Sequence, residues 1–287
     1  MQRITGHTEL IGLIANPIRN SKSPMMHNTA FEALGLDYVY LVFEVDNTTL
    51  RTTVEGLRAM KVRGFNVSMP NKRSILPLLD ELTPSAQLCQ AVNTVVNENG
   101  HLIGYNTDGI GFMKSCEAEG FDIIGKKITL FGAGGAATAV CMQAALDGVK
   151  EIAIFNANDD FWEQALQNAQ RINEHTSCRA HVYDLSDTIA LREQISDSVM
   201  LVNATGCGFC QPLGPCLLPD DSYLRQDLMV FDVIYSPGET QLLKWAKETG
   251  CRCSNGLEMM FHQGAAAFKL WTGKDMPIDV VRKVFEA

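Results

Sequence analysis

The segment from Ile128 to Ala137 constrains this chain more than any other. An apolar run, Ile128 to Phe131, leads straight into Gly132-Ala133-Gly134-Gly135-Ala136-Ala137, and residues 136–146 then carry a helical pattern. A strand that ends in a glycine turn and continues as a helix is part of a βαβ unit, which commits the chain to a parallel sheet. In such a turn Gly132 permits the tight reversal, Gly134 lets the backbone approach a pyrophosphate, and small Ala137 allows close helix–strand packing. The N–H groups at the helix start suit a phosphate charge. Residues 151–155 read as the next strand. They run into Asn156-Ala157-Asn158-Asp159, so an acidic residue stands where an adenosine ribose would be held. A glycine turn with a purely structural role is the competing reading. The strand before it and the helix after it favour dinucleotide binding.

Strand and helix signals alternate over the rest of the chain. Residues 10–15 form an apolar run stopped by Asn16-Pro17. Ser23-Pro24 opens a helix pattern ending at Gly35, with Ser23 expected as the cap and Pro24 at the first helical position. Residues 38–45 and 65–67 read as strands, with a helix over 50–60 between them. Residues 91–96 and 102–105 flank Asn97-Glu98-Asn99-Gly100, whose Asn-Gly pair predicts a hairpin. Asn106-Thr107-Asp108-Gly109 leads into a helix running to Glu119. Beyond the glycine turn, 161–172 is helical, 199–203 and 229–233 are strands, and 241–248, 257–271 and 278–285 are helices. The expected fold class is α/β in two domains: an α/β substrate domain and a Rossmann-type doubly wound parallel sheet. The substrate-binding catalytic domain is expected over residues 1–105, completed by the C-terminal helices of 241–287. The dinucleotide-binding domain is expected over 106–240.

A length of 287 residues suits two such domains. The net charge of -9, with no Lys/Arg run beyond pairs such as Lys126-Lys127, argues against nucleic acid or an anionic membrane as partner. Any anion must then be gripped by a few placed donors. The longest apolar stretches stay under ~10 residues, too short to span a bilayer. The polar start, Met1 to His7, lacks the apolar core of an export signal. The expectation is a cytoplasmic protein whose cysteines are reduced. Cys207, Cys210 and Cys216, with Cys251 and Cys253 further on, lack the paired spacing of zinc ligands, and no metal is expected.

Several polar residues fall at strand-to-helix or strand-to-turn junctions, where open α/β folds place their sites. Ser21 and Ser23 in Asn20-Ser21-Lys22-Ser23-Pro24 bring two hydroxyls to a helix start, where they either hold a carboxylate or cap the helix. Lys72 follows a buried strand in Asn66-Val67-Ser68-Met69-Pro70-Asn71-Lys72; taken alone, a solvated lysine is the readier reading. Asn93 sits inside an apolar strand and Asp108 in a turn.

Taken in order, these segments resemble the shikimate dehydrogenase family. The motifs are Asn20 to Pro24, Asn66 to Lys72, Ala91-Val92-Asn93-Thr94, Asn106 to Gly109, Gly132 to Ala136, Asn203-Ala204-Thr205-Gly206 and the segment after Gln263. Ser68-Met69-Pro70-Asn71 is similar to the quinate/shikimate dehydrogenase branch. The resemblance implies a small cyclic hydroxy acid as substrate, with NAD, or NADP as the less favoured option, as cofactor. It implies that Ser21 and Ser23 hold the substrate carboxylate, and that Tyr40, Ser68, Asn93, Thr107 and Gln263 contact ring hydroxyls or the carboxylate. Lys72 and Asp108 would form the proton-transferring pair, both also touching substrate. Gly132, Ala133, Gly134, Gly135, Ala136, Asn156, Asp159, Thr205, Gly206, Val233, Tyr235 and Gly256 would bind the dinucleotide. A homodimer is left open.

Three departures stand out. Ala157 follows Asn156 where NADP-using members place an arginine, Phe209 replaces a methionine beside the nicotinamide, and His262 replaces an apolar residue before Gln263. A nucleotide-sensing regulator without activity is the reading from another class, and Lys72 with Asp108 argues against it. A dehydrogenase acting on an amino-substituted cyclic acid is the third.

Overall fold

The computed structural model describes residues 4–210 and 214–286. Its contacts divide the chain into two units, one running to Thr107 and resuming at Phe261, the other spanning Asp108–Met260.

The first unit contains β1 (Glu9–Ala15), α1 (Ser23–Ala33), β2 (Tyr38–Glu44), α2 (Leu50–Ala59), β3 (Gly64–Val67), α3 (Asn71–Ser74), β4 (Glu81–Leu82), α4 (Pro84–Cys89), β5 (Thr94–Glu98) and β6 (His101–Tyr105). The six strands form one sheet in the order β2-β1-β3-β5-β6-β4. β1 runs parallel to β2 and β3, while β5 is antiparallel to β3 and β6. Asn99 and Gly100 both take positive φ, 56° and 97°, as a two-residue reversal between twisted strands requires. One core gathers Ile14, Val54, Leu57, Phe65, Val67, Ile75, Val92 and Val95. A separate aromatic group, His27, Phe31, Tyr40, Phe268 and Trp271, joins β2 and α1 to the C-terminal segment. Trp271 Nε1 donates to Val95 O at 3.0 Å, and Arg63 Nε donates to Trp271 O at 2.8 Å.

The second unit contains α5 (Asp108–Ala118), β7 (Lys127–Phe131), α6 (Gly135–Leu146), β8 (Glu151–Asn156), α7 (Trp162–His175), β9 (Arg179–Asp184), α8 (Thr188–Ser196), β10 (Met200–Asn203), β11 (Met229–Asp232), α9 (Gln241–Thr249) and β12 (Arg252–Ser254). Two further helices, α10 (Leu257–Thr272) and α11 (Ile278–Glu286), complete the chain. The sheet order is β12-β11-β10-β7-β8-β9, and every neighbouring pair is parallel. Counted from β7 this is the doubly wound order, with its reversal between β7 and β10. Its central strands read as unbroken apolar runs because helices cover both faces.

Two expectations require correction. Residues 241–260 do not return to the first unit. β12 pairs with β11, and α9 buries Leu242, Leu243 and Ala246 in the core of the second unit, so only the segment from Phe261 onward joins the first. Ser23 is not a helix cap either. It is the first residue of α1, and Lys22 occupies the cap position with no capping bond from its side chain to the helix start.

Among the described residues no helix is long and apolar enough to cross a membrane. The nine cysteines are all free, and no group of three or more His, Cys, Asp or Glu is arranged to hold a metal among those residues.

Candidate active site

In the first unit the carboxyl ends of β1, β2 and β3 share one edge, and the residues that follow them carry the candidate substrate contacts. A polar chain runs through this edge. It starts at the Tyr40 phenol, which donates to Asn66 Oδ1 at 2.7 Å. Asn66 Nδ2 donates to Asn93 O at 3.0 Å and to Thr94 Oγ1 at 2.9 Å. Asn93 Nδ2 donates to Thr107 Oγ1 at 2.9 Å, while the Thr107 amide donates back to Asn93 Oδ1 at 2.8 Å. Tyr40, Asn66, Asn93, Thr94 and Thr107 are all buried. Burial raises the Tyr40 phenol far above its ordinary pKa, opposed in part by Ser23, so it stays a neutral donor. A buried chain of this kind is stiff, because each member has its partners already assigned.

The surrounding residues are fixed by backbone. Ser21 Oγ accepts the Ser23 amide at 3.2 Å, which orients the turn into α1. Asn28 brackets the Tyr40 backbone with two hydrogen bonds, of 3.0 and 2.8 Å. Ser68 follows β3, half-buried, with its amide bound to Ile14 O at 3.0 Å. Asn71, fully buried, donates to Val45 O at 2.7 Å and so ties the start of α3 to the end of β2. Lys72 comes next, half-buried, with its carbonyl accepting the Val92 amide at 2.9 Å. Gln263 lies half-buried on α10, beside Gly264, where an added Cβ would come within 2.7 Å of Met26 Sδ on α1. His262 is half-buried as well.

In the second unit Asp108 opens α5, half-buried, where a carboxylate is favoured by the helix dipole. The glycine turn has the form that a pyrophosphate needs. Gly132 has φ 103°, and an added Cβ would come within 2.7 Å of Thr205 Cγ2. Gly134 is the helix cap and offers no side chain, so the first amides of α6 have no local acceptor competing for them. Nothing lies within 4 Å of a Cβ added at Gly134 or Gly135, so the turn is open to an incoming group. Ala133 is buried and its carbonyl accepts from Thr138 Oγ1 at 3.2 Å; Ala136 is half-buried. The residues fit a dinucleotide phosphate.

After β8, Asn156 Nδ2 donates to Asp159 Oδ1 at 2.9 Å, and the same oxygen accepts the Phe161 amide at 2.9 Å. Thr205 and Gly206 follow β10. Val233 follows β11, and its amide donates to Asn203 O at 2.9 Å. Gly256 packs directly on the Val233 carbonyl, too close for any side chain, and its amide donates to Ile234 O at 3.1 Å. Tyr235 and Phe209 are exposed, and the Phe209 amide closes a turn onto Gly206 O at 3.0 Å.

Four functional candidates were missed from sequence. Asn66 and Thr94 carry the middle of the polar chain, and Asn203 and Asp232 end neighbouring strands. A shared signal existed: each is a polar residue set within or at the end of a buried apolar strand.

The geometry agrees with known proteins. A model of the shikimate dehydrogenase substrate binding domain matches residues 13–95, and a model of the shikimate 5'-dehydrogenase C-terminal domain matches residues 256–284. The chain is 56% identical over 283 residues to a Listeria monocytogenes protein named shikimate dehydrogenase (NADP(+)), covering 99% of this chain and 97% of that one. The crystal structure of shikimate 5-dehydrogenase from Listeria monocytogenes in complex with shikimate and NAD superposes with TM-score 0.98 at 55% identity, covering 99% of both chains. Quinate dehydrogenase from Corynebacterium glutamicum in complex with NAD superposes with TM-score 0.86 at 31% identity, covering 97% of this chain and 99% of that one.

Proposed function

The chain belongs to the shikimate dehydrogenase family, and on that premise we propose that it oxidises shikimate reversibly to 3-dehydroshikimate, and quinate to 3-dehydroquinate as a second substrate. It is an NAD(P)-dependent oxidoreductase acting on a CH–OH group. The observation that carries the substrate reading is the buried chain from Tyr40 through Asn66 and Asn93 to Thr107, with half-buried Ser23 on α1, a set of donors and acceptors suited to a polyhydroxylated ring.

Ser21 and Ser23 bind the carboxylate, and Tyr40, Ser68, Asn93, Thr107 and Gln263 orient the hydroxyls. Lys72 takes the hydroxyl proton in oxidation and returns it to the developing alkoxide in reduction, where its charge also stabilises the oxyanion. Asp108 supplies the carboxylate of the proton-transferring pair. The dinucleotide, when bound, accepts or returns the hydride. The glycine turn holds its pyrophosphate, Thr205, Gly206, Val233, Tyr235 and Gly256 hold its nicotinamide side, and Asn156 and Asp159 hold the adenosine ribose.

NAD is the preferred cofactor in this reading. The relatives include one named for NADP(+) and one crystallised with NAD, so the family accommodates both. In this chain the loop after β8 reads Asn156-Ala157-Asn158-Asp159-Asp160, with no cation. A 2′-phosphate is normally met by a guanidinium, and Asp159 would repel it while accepting from a free ribose hydroxyl. Lys150 and Arg179 stand at the ends of β8 and β9 opposite the loop, roughly 16 Å away along a strand of this length, and Arg171, nearer in sequence than Arg179, donates from α7 to Asn168 Oδ1 at 3.0 Å. Arg179 faces Glu151 at 3.9 Å.

The experiment is a panel of shikimate and quinate against NAD and NADP, followed by the absorbance of reduced nicotinamide from neutral to alkaline pH. Turnover with shikimate and a higher kcat/KM for NAD are expected. No turnover with either acid, while dinucleotide still binds, would move the chain to a nucleotide-sensing role.

A further inference from the structure

Asp232 has no part in the scheme above, yet it stands at the root of the loop that carries Thr205 and Gly206. It ends β11, is 0% exposed, and lies opposite Asn203 of β10 in the parallel register. Three donors converge on its carboxylate: Asn203 Nδ2 at 3.0 Å, the Ile234 amide at 3.1 Å and the Thr240 hydroxyl at 2.7 Å. Burial pushes its pKa above the ordinary carboxylate range, and the bonds from Thr240, Ile234 and Asn203 oppose that rise. Burying a carboxylate is costly unless its hydrogen bonds are used. A charge held here calls for a role that a neutral residue would not fill.

Hydrogen-bond direction supplies that role. A carboxylate can only accept. Asn203 must therefore turn its NH2 toward Asp232, and its Oδ1 faces the loop. That oxygen accepts the Thr205 amide at 3.1 Å and the Thr205 hydroxyl at 2.7 Å. The Thr205 oxygen, having donated its proton, accepts the Cys207 amide at 3.1 Å. Each bond takes its direction from the one before. At the far end, Gly132 packs against this loop: an added Cβ would come within 2.7 Å of Thr205 Cγ2 and 3.1 Å of Ala204 O.

We propose that Asp232 is a positioning residue for the dinucleotide, which acts through Asn203 and Thr205 to hold the loop after β10, and the glycine turn packed on it, in the cofactor-receiving conformation. This inference rests on the reading of the second unit as the dinucleotide unit. A leucine at 232 removes both acceptor oxygens and breaks the relay, whereas an asparagine can keep its oxygen on Asn203 and Ile234 and turn its NH2 to the Thr240 hydroxyl, which also accepts. With leucine there, Asn203 Nδ2 keeps only its 3.4 Å bond to Cys207 O to aim its oxygen at Thr205.

The test measures Kd for NADH and NADPH by fluorescence titration, KM for shikimate at saturating dinucleotide, and Tm. Asp232→Leu should raise both Kd values about tenfold or more, the loss expected for a hydrogen bond to a charged group, with KM for shikimate changed little. Thr240→Val removes one donor and should shift Kd in the same direction by less, while Thr240→Ser restores it. This pair decides the matter if Asp232→Leu does not fold. A Thr240→Val or Asp232→Leu protein with lowered Tm and unchanged Kd overturns the proposal, because a merely structural carboxylate would behave that way. If the wild-type protein binds neither nucleotide, the reading of the second unit itself falls.

Discussion

Lys72 occupies the second position of a four-residue helix whose start is pinned by Asn71 to Val45 and whose carbonyl is held by Val92. Backbone anchors of this kind survive loss of the side chain. Lys72→Ala should therefore lower kcat by about 10²–10⁴-fold, the contribution of a positioned acid–base group, while KM moves far less. Steady-state kinetics with shikimate checks this, and near-normal kcat would remove Lys72 from proton transfer. Ser21→Ala and Ser23→Ala should each raise KM for the acid and leave dinucleotide Kd alone, with about 1.5–3 kcal/mol lost per charged hydrogen bond. Ser23 does not cap α1, so an effect on KM there cannot be put down to helix fraying.

His27 makes a different prediction. Its ring stacks on Tyr40 at 4.6 Å, both ring nitrogens are buried without a hydrogen-bond partner among the described residues, and burial lowers its pKa to about 3. The unfolded chain takes up the proton near the ordinary value and the folded chain does not. Stability from this residue is complete above about pH 6.5 and is lost as pH falls toward 3, at roughly 1.4 kcal/mol per pH unit. Urea midpoints between neutral pH and about pH 4 should show this slope, and His27→Phe should flatten it.

The β7–turn–α6 element depends on one backbone angle. Gly132→Ala forces a side chain into positive φ and against the Thr205 methyl group, which should cost about 1–3 kcal/mol and weaken NADH binding while KM for the acid holds. Thermal denaturation and nucleotide titration together check it. This element was legible in sequence because an apolar strand, a glycine turn and a helical run stand in unbroken succession. The Asn99-Gly100 reversal was legible for the same local reason. The elements that were not legible share a physical cause. β9, Arg179–Asp184, is an edge strand with polar residues along it, so alternation and hydrophobicity were weak. β12 has three residues, and α8 and α4 are short, with their helix starts set by Asp187 and Thr83 caps rather than by a strong apolar face. The candidate site divides in the same way. Residues at turns announced themselves, whereas Asn66, Thr94, Asn203 and Asp232 acquire meaning only from strands that neighbour them in space and not in sequence.

Across the whole chain, each ligand class should leave its mark on its own unit. Dinucleotide at about a hundredfold over Kd should stabilise the fold by about 2.7 kcal/mol. Hydrogen exchange should slow at the glycine turn and at residues 203–207, while shikimate should slow exchange near Ser21–Ser23 and Asn93–Thr107. Protection of the same amides by both ligands would argue against the division of roles. The first unit also carries a bond that spans most of the chain: Arg63 reaches the Trp271 carbonyl, and the Trp271 indole reaches Val95. During synthesis on the ribosome, then, the stretch translated first cannot complete its aromatic group until Phe268 and Trp271 have been made. The middle stretch can finish folding while its predecessor still waits, reversing the usual N-terminal-first order. A stop codon shortly after Met260 would release a chain with its later-made half intact and its earlier-made half open. Such a product is a substrate for proteases and chaperones, although it retains every residue proposed to bind the dinucleotide.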